Sequence, residues 1–104
     1  MSLKDFQKQV DDWVKQYKTP YWQPQWILAR LIEETGELAR EINHLHGPKP
    51  KKPTEDKKEL GLEISDILYT LICLANSQGI DLDKSWEEMM SKYQNRDRDR
   101  YDKK

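Results

Sequence analysis

The sequence predicts an all-α fold, a four-helix bundle-like protomer. Apolar residues recur at three- and four-residue spacing along most of the chain, and prolines and glycines gather at narrow breaks between those stretches. No stretch shows the period-two alternation of a half-buried strand. The 104 residues are one domain's worth, and residues 1–104 read as a single helical domain.

Each helix has its own signals. Leu3, Phe6, Val10, Trp13, Val14 and Tyr17 lie on one face of a first helix over about residues 3–18, with Ser2 as N-cap and Asp5 in the first turn. Thr19-Pro20 ends it, and Tyr21-Trp22-Gln23-Pro24 forms an aromatic connection. The second helix spans about residues 24–45, with Pro24 near its first turn. Gly47 to Thr54 is a loop, because Pro48, Pro50 and Pro53 forbid a helix. The third helix covers about residues 55–78 and stops at Gly79, a residue suited to the position after a helix end. Asp81-Leu82-Asp83 starts the fourth, with Leu82, Trp86, Met89, Met90 and Tyr93 on one face. Residues 96–104 form a charged tail that is expected to fray.

Composition narrows the function classes. Hydrophobic and charged residues each make up 36%, so a lone protomer has a thin core and self-association is expected. Net charge is −1, which gives no nucleic-acid signature. The single Cys73 forms no internal disulfide, which fits a reducing compartment. The polar opening Met1-Ser2-Leu3-Lys4-Asp5 lacks a signal-peptide pattern, and no apolar run approaches bilayer length. A cytoplasmic protein without a membrane partner is expected.

The carboxylates carry the chemistry. On the second helix, Glu34 and Glu41 fall just beyond an apolar arc of roughly 140°, with Glu37 and then Glu33 further round. The third helix is apolar on nearly all sides, which predicts burial. Its polar exceptions Glu59, Glu63, Asp66, Thr70 and Ser77 form one line within roughly 60°. Glu34/Glu37 and Glu63/Asp66 are both i, i+3 pairs, so two antiparallel helices would aim four carboxylates at one point. Buried carboxylates need a counter-charge. Spacing alone leaves three sources open: a divalent ion, a Lys or Arg from the first or fourth helix, or plain solvation. An all-oxygen donor set suits Mg²⁺ or Mn²⁺ rather than Zn²⁺.

These segments carry a family resemblance. Glu33-Glu34-Thr35-Gly36-Glu37-Leu38-Ala39 resembles the Glu-Glu-x-x-Glu segment of the MazG-like nucleoside triphosphate pyrophosphohydrolases, and Glu63-Ile64-Ser65-Asp66-Ile67-Leu68 their Glu-x-x-Asp segment. The likeness runs on through Gly79-Ile80-Asp81 to Lys92-Tyr93-Gln94-Asn95-Arg96 and covers about residues 20–101. It implies an all-α enzyme, a homodimer or homotetramer, that splits (d)NTPs between the α and β phosphates in nucleotide-pool house-cleaning. It further implies Glu34, Glu37, Glu63 and Asp66 as Mg²⁺ ligands, with Mn²⁺ a substitute. Glu33 would join them as a catalytic residue that orients water, takes its proton or holds a further ion. Lys92 and Arg96 would contact phosphates, with Asn95 nearby and Trp22 beside the base. Ser65 stands where many relatives have Gly, and the lysine-rich loop is the least matched stretch.

Other features read as structural. Glu41-Ile42-Asn43-His44 fits half of a di-iron pattern, but the third helix has no His to complete it, so His44 reads as an ordinary exposed histidine and His46 as a loop residue. The Lys49–Lys58 segment, net +3 from five Lys against Glu55 and Asp56, reads as a solvated loop. Trp13, Trp26, Trp86, Met89 and Met90 read as core or interface. The rival function class is a non-catalytic helical module that binds metal, nucleotide or a protein.

Overall fold

A computed structural model describes residues 1–46, 56–102 and 104. Four helices follow in order: α1 (Leu3–Val14), α2 (Pro24–His46), α3 (Asp56–Ser77) and α4 (Leu82–Arg96). Among the described residues there is no strand. The Gly47–Thr54 loop and most of the lysine-rich segment lie outside the described residues.

The helix starts are built as the sequence suggests. Ser2 Oγ accepts from the Asp5 amide at 3.1 Å, and Asp5 Oδ2 accepts from the Ser2 amide at 2.9 Å, a reciprocal capping box. Asp81 caps α4 by accepting from the Asp83 and Lys84 amides at 3.0 and 3.3 Å. Asp83 reaches across to accept from the Leu3 and Lys4 amides at 3.1 and 3.4 Å, so it covers the orphan donors of α1. Lys4 lies 3.3 Å from Asp81. Gly79, at φ +67°, makes the left-handed turn that ends α3. The first helix is shorter than its periodicity implies, because the chain turns after Val14, ahead of Pro20. His46, expected in the loop, is the last residue of α2.

α2 and α3 form the main packed pair, α1 lies on α3, and α4 packs on α1. The core is small: Val14, Ile27, Ile72 and Ala75 are buried, with Thr70 the most enclosed at 2% exposure. Thr70 Oγ1 donates to the Asp66 carbonyl at 2.9 Å, which satisfies it there. A polar staple fixes α1. Gln7 Nε2 donates to Asn76 Oδ1 (2.9 Å) and to the Ile80 carbonyl (2.7 Å), and Gln7 Oε1 accepts from the Leu82 amide (3.1 Å). Asn76 Nδ2 in turn donates to the Gln7 carbonyl (2.9 Å) and to the Tyr21 hydroxyl (3.1 Å).

The expected all-round burial of α3 does not hold within one chain. Leu62, Ile64, Leu68 and Leu71 are exposed, as are Leu28 and Ile32 on α2, because one neighbour on each side covers only part of a helix this apolar. Residues Lys58–Ser77 are also long and apolar enough to cross a membrane by length and composition, contrary to the expectation that no such run exists. The same composition suits a helix packed on several sides.

Candidate active site

α2 and α3 run antiparallel. Ile27 and Arg30 near the start of α2 share a cavity with Tyr69, Thr70 and Cys73 late in α3, whereas Glu34 and Glu37 meet Glu63 near the middle of both. One carboxylate oxygen from each of Glu34, Glu37 and Glu63 lies within 4.8 Å of the other two. Glu34 and Glu63 are half-buried and Glu37 is exposed. Glu34 Oε2 and Glu63 Oε2 are buried without a hydrogen-bond partner in the chain. Withdrawal from water, then the charges of Glu37, Asp66 and Glu34, push the Glu63 carboxyl above its usual range.

The four expected ligands therefore divide. Three converge. Asp66 stands one turn along α3, exposed, with its charge felt at Glu63 but outside the converging group. Glu33 is exposed on α2 and also outside it.

The donor set fits a hard divalent cation. Buried anionic oxygens left unpaired are costly, and oxygen-only ligation is what Mg²⁺ or Mn²⁺ takes. The alternative of a salt bridge from α1 or α4 is not what forms: among the described residues, no ion pair links those helices to Glu34, Glu37, Glu63 or Asp66. Among the described residues, the cation paired with this group is Arg30, one turn back on α2, with Nε 3.7 Å from Glu34 Oε1. That is an ion-pair distance beyond hydrogen-bond reach, and Arg30 Nε is itself buried without a bond.

Arg30 joins the carboxylates to an aromatic cavity of about 270 Å³. Its guanidinium lies over Trp22, 5.5 Å from the ring centroid. Trp13 and Tyr17 meet edge to face across 5.7 Å on another wall. Burial pushes the Tyr69 hydroxyl and the Cys73 thiol up, and the nearby Arg30 charge draws both back. The Tyr21 hydroxyl is pushed up to about 12, first by burial and then because it donates to Asp11. Trp22, expected beside a base, is on this cavity wall.

The remaining expected residues are placed elsewhere. Lys92, Asn95 and Arg96 line a shallow concavity on α4. Arg96 donates to Asp97 at 3.1 and 3.0 Å and lies over Tyr93. Because α4 docks on α1, this basic edge is not joined to the carboxylates within one chain. His44, expected exposed, is half-buried 3.8 Å from Glu41. Of the residues read as core or interface, Trp13, Trp26 and Trp86 are exposed at 55%, 66% and 54%, which excludes the core within one chain. Sequence reasoning missed Arg30, although its i, i+4 spacing to Glu34 was a signal.

Comparisons with known proteins show the family and the fold. Residues 23–101 match the family model of the MazG nucleotide pyrophosphohydrolase domain. The chain is 48% identical over 103 residues to the uncharacterized protein YpjD of Bacillus subtilis (strain 168), covering 99% of this chain and 93% of that one. The crystal structure of YPJD from Bacillus subtilis, designated a candidate pyrophosphatase, superposes with a TM-score of 0.82 at 48% identity, over 89% of this chain and 95% of that one. The Bacillus-conserved MazG protein, a nucleotide pyrophosphohydrolase, superposes with a TM-score of 0.80 at 41% identity, over 95% and 96% of the two chains. A MazG match over most of the length, on an all-α frame that brings Glu34, Glu37 and Glu63 together, places this chain in the MazG nucleotide pyrophosphohydrolase family.

Proposed function

We propose that this protein is a Mg²⁺-dependent nucleoside triphosphate pyrophosphohydrolase that converts (d)NTP to (d)NMP and pyrophosphate and so removes unwanted nucleotides. The observation that carries the reading is the convergence of Glu34, Glu37 and Glu63, with two buried and unbonded oxygens, in a chain of this family. Glu34, Glu37 and Glu63, with Asp66 at the rim, would hold the ion. When bound, Mg²⁺ supplies charge neutralisation at phosphate oxygens and a more acidic water.

The residues do the rest. Phosphoryl transfer needs an in-line nucleophile and a neutralised leaving group. Water adds to the α-phosphorus, the bond to the α–β bridging oxygen breaks, and pyrophosphate leaves with the electron pair. Glu33, exposed beside Glu34, takes the proton or orients the water. The nucleoside enters the aromatic cavity next to Arg30, where Trp22 offers a stacking face. Lys92 and Arg96 hold the pyrophosphate. Their separation from the carboxylates and the open apolar faces of α2 and α3 both favour a homo-oligomer, in which a second copy brings its α4 to the site.

A nucleotide panel with Mg²⁺, assayed for monophosphate and pyrophosphate, tests the reading. Orthophosphate with diphosphate as products refutes α–β cleavage, and activity that survives chelation with EDTA refutes the metal requirement. Tight nucleotide binding with no turnover under Mg²⁺ or Mn²⁺ supports the non-catalytic module instead.

A further inference from the structure

We propose that Arg30 selects the nucleobase, and that the cavity prefers bases carrying an oxo group at purine position 6 or pyrimidine position 4 over their amino counterparts. This deepens the pyrophosphohydrolase reading and rests on it.

Arg30 is the charged residue of the cavity wall, which has no Asp or Glu. A guanidinium only donates hydrogen bonds. Of the hydroxyls on the wall, Tyr21 donates to Asp11 and accepts from Asn76, and Thr70 donates to the Asp66 carbonyl; Tyr17, Thr19 and Tyr69 can donate or accept, so they leave the donor-only guanidinium as the charge that biases the wall. The indole of Trp22 also only donates. The polar groups left for a ligand are therefore weighted toward donors. An amino group set against a guanidinium leaves donors facing donors, whereas an oxo group accepts, and guanine or hypoxanthine also offers N7 for a two-point contact.

The placement of Arg30 supports the same role. The guanidinium lies over the Trp22 ring, 5.5 Å from its centroid, and Arg30 Nε is buried with no hydrogen bond of its own. Four residues, roughly 6 Å along the helix axis, separate Arg30 from Glu34. That distance is on the scale of the ribose between a base and its α-phosphate.

The test compares ITP with ATP and UTP with CTP, pairs that differ at the edge in question, in the wild type, Arg30→Met and Arg30→Lys. In the wild type, kcat/KM for the oxo member should exceed that for the amino member by about tenfold or more. Arg30→Met should bring both ratios near one. Arg30→Lys, which keeps the charge but not the planar fork, should fall between. Any effect of these variants on metal affinity through Glu34 cancels in the ratios. Equal rates within a pair in the wild type, a preference for the amino base, or a ratio that survives Arg30→Met each overturns the proposal. Quenching of tryptophan fluorescence by IMP and AMP reads the preference without catalysis. Tighter IMP binding with no triphosphate hydrolysis overturns the hydrolase reading and keeps the pocket. Hydrolysis with equal IMP and AMP binding overturns the pocket and keeps the hydrolase.

Discussion

Replacing Glu63 with Gln removes one of three crowded charges while keeping the side chain's shape. Without metal, that substitution relieves repulsion from Glu34, Glu37 and Asp66, so the melting temperature should rise in EDTA. Turnover should fall by about 100-fold or more if Glu63 holds the ion. Parallel calorimetry and product assays check both, and wild-type activity in this variant sinks the site assignment. Glu63 stood out in the sequence because apolar residues flank its acidic line on both sides, but Asp66, read as its partner from the same line, is exposed and lies outside the converging group. Glu34 and Glu37 sat at the margin of an apolar arc, and the resemblance supplied their role. Thr70 lies on the same line yet is buried, because α1 and α2 close over the late half of α3 but leave its middle half-open. No single-helix projection shows that difference. Arg30 escaped notice because an Arg–Glu pair at i, i+4 is ordinary on a solvated helix.

At the scale of elements, caps and staples decide which helices hold. Ser2→Ala should cost about 1 kcal/mol through loss of the α1 cap. Asn76→Ala should cost roughly 1–3 kcal/mol, since it removes the donor to the Gln7 carbonyl and the Tyr21 hydroxyl and the acceptor for Gln7 Nε2. Chemical denaturation measures both. Asp5 and Asp81 are held below the usual carboxylate range first by backbone amide donors, and Asp11 first by Lys15. The stability these depressed groups contribute is fully present above their unfolded value near 3.9 and is lost as pH falls through the lower folded values. Because water screens all three groups, melting temperature should decline only modestly below about pH 4, and Asp81→Asn should flatten the decline. The cap residues Ser2, Asp81 and Gly79 were readable, as local rules govern them. The Gln7–Asn76 staple was not, because it joins positions 69 residues apart.

The whole molecule leaves its second apolar side uncovered. Leu68 on α3 is 52% exposed and Ile32 on α2 is 64% exposed. Light scattering at micromolar concentration should show a homo-oligomer, and Leu68→Glu should shift it toward monomer with loss of activity. A stable wild-type monomer contradicts the assembly. The sequence indicated four helices and an all-round apolar α3, but among the described residues nothing covers its second side, so periodicity predicted burial that these residues do not supply.

The meeting of the α1 and α4 starts has a mechanical consequence. The hydrogen bonds and the ion pair that tie α4 to α1 fall at residues 81–83, so the helix is anchored at one end like a boom. From Asp83 to Arg96 is about 20 Å at the rise of an α-helix. A tilt of about 10° at the anchor sweeps Arg96 through roughly 3 Å, enough by this geometry to make or break a phosphate contact. If Lys92 and Arg96 hold the pyrophosphate as proposed, Asp83 sets the aim of that basic tip through the α1 amides it accepts from. Asp83→Ala should raise KM for the triphosphate more than it lowers kcat.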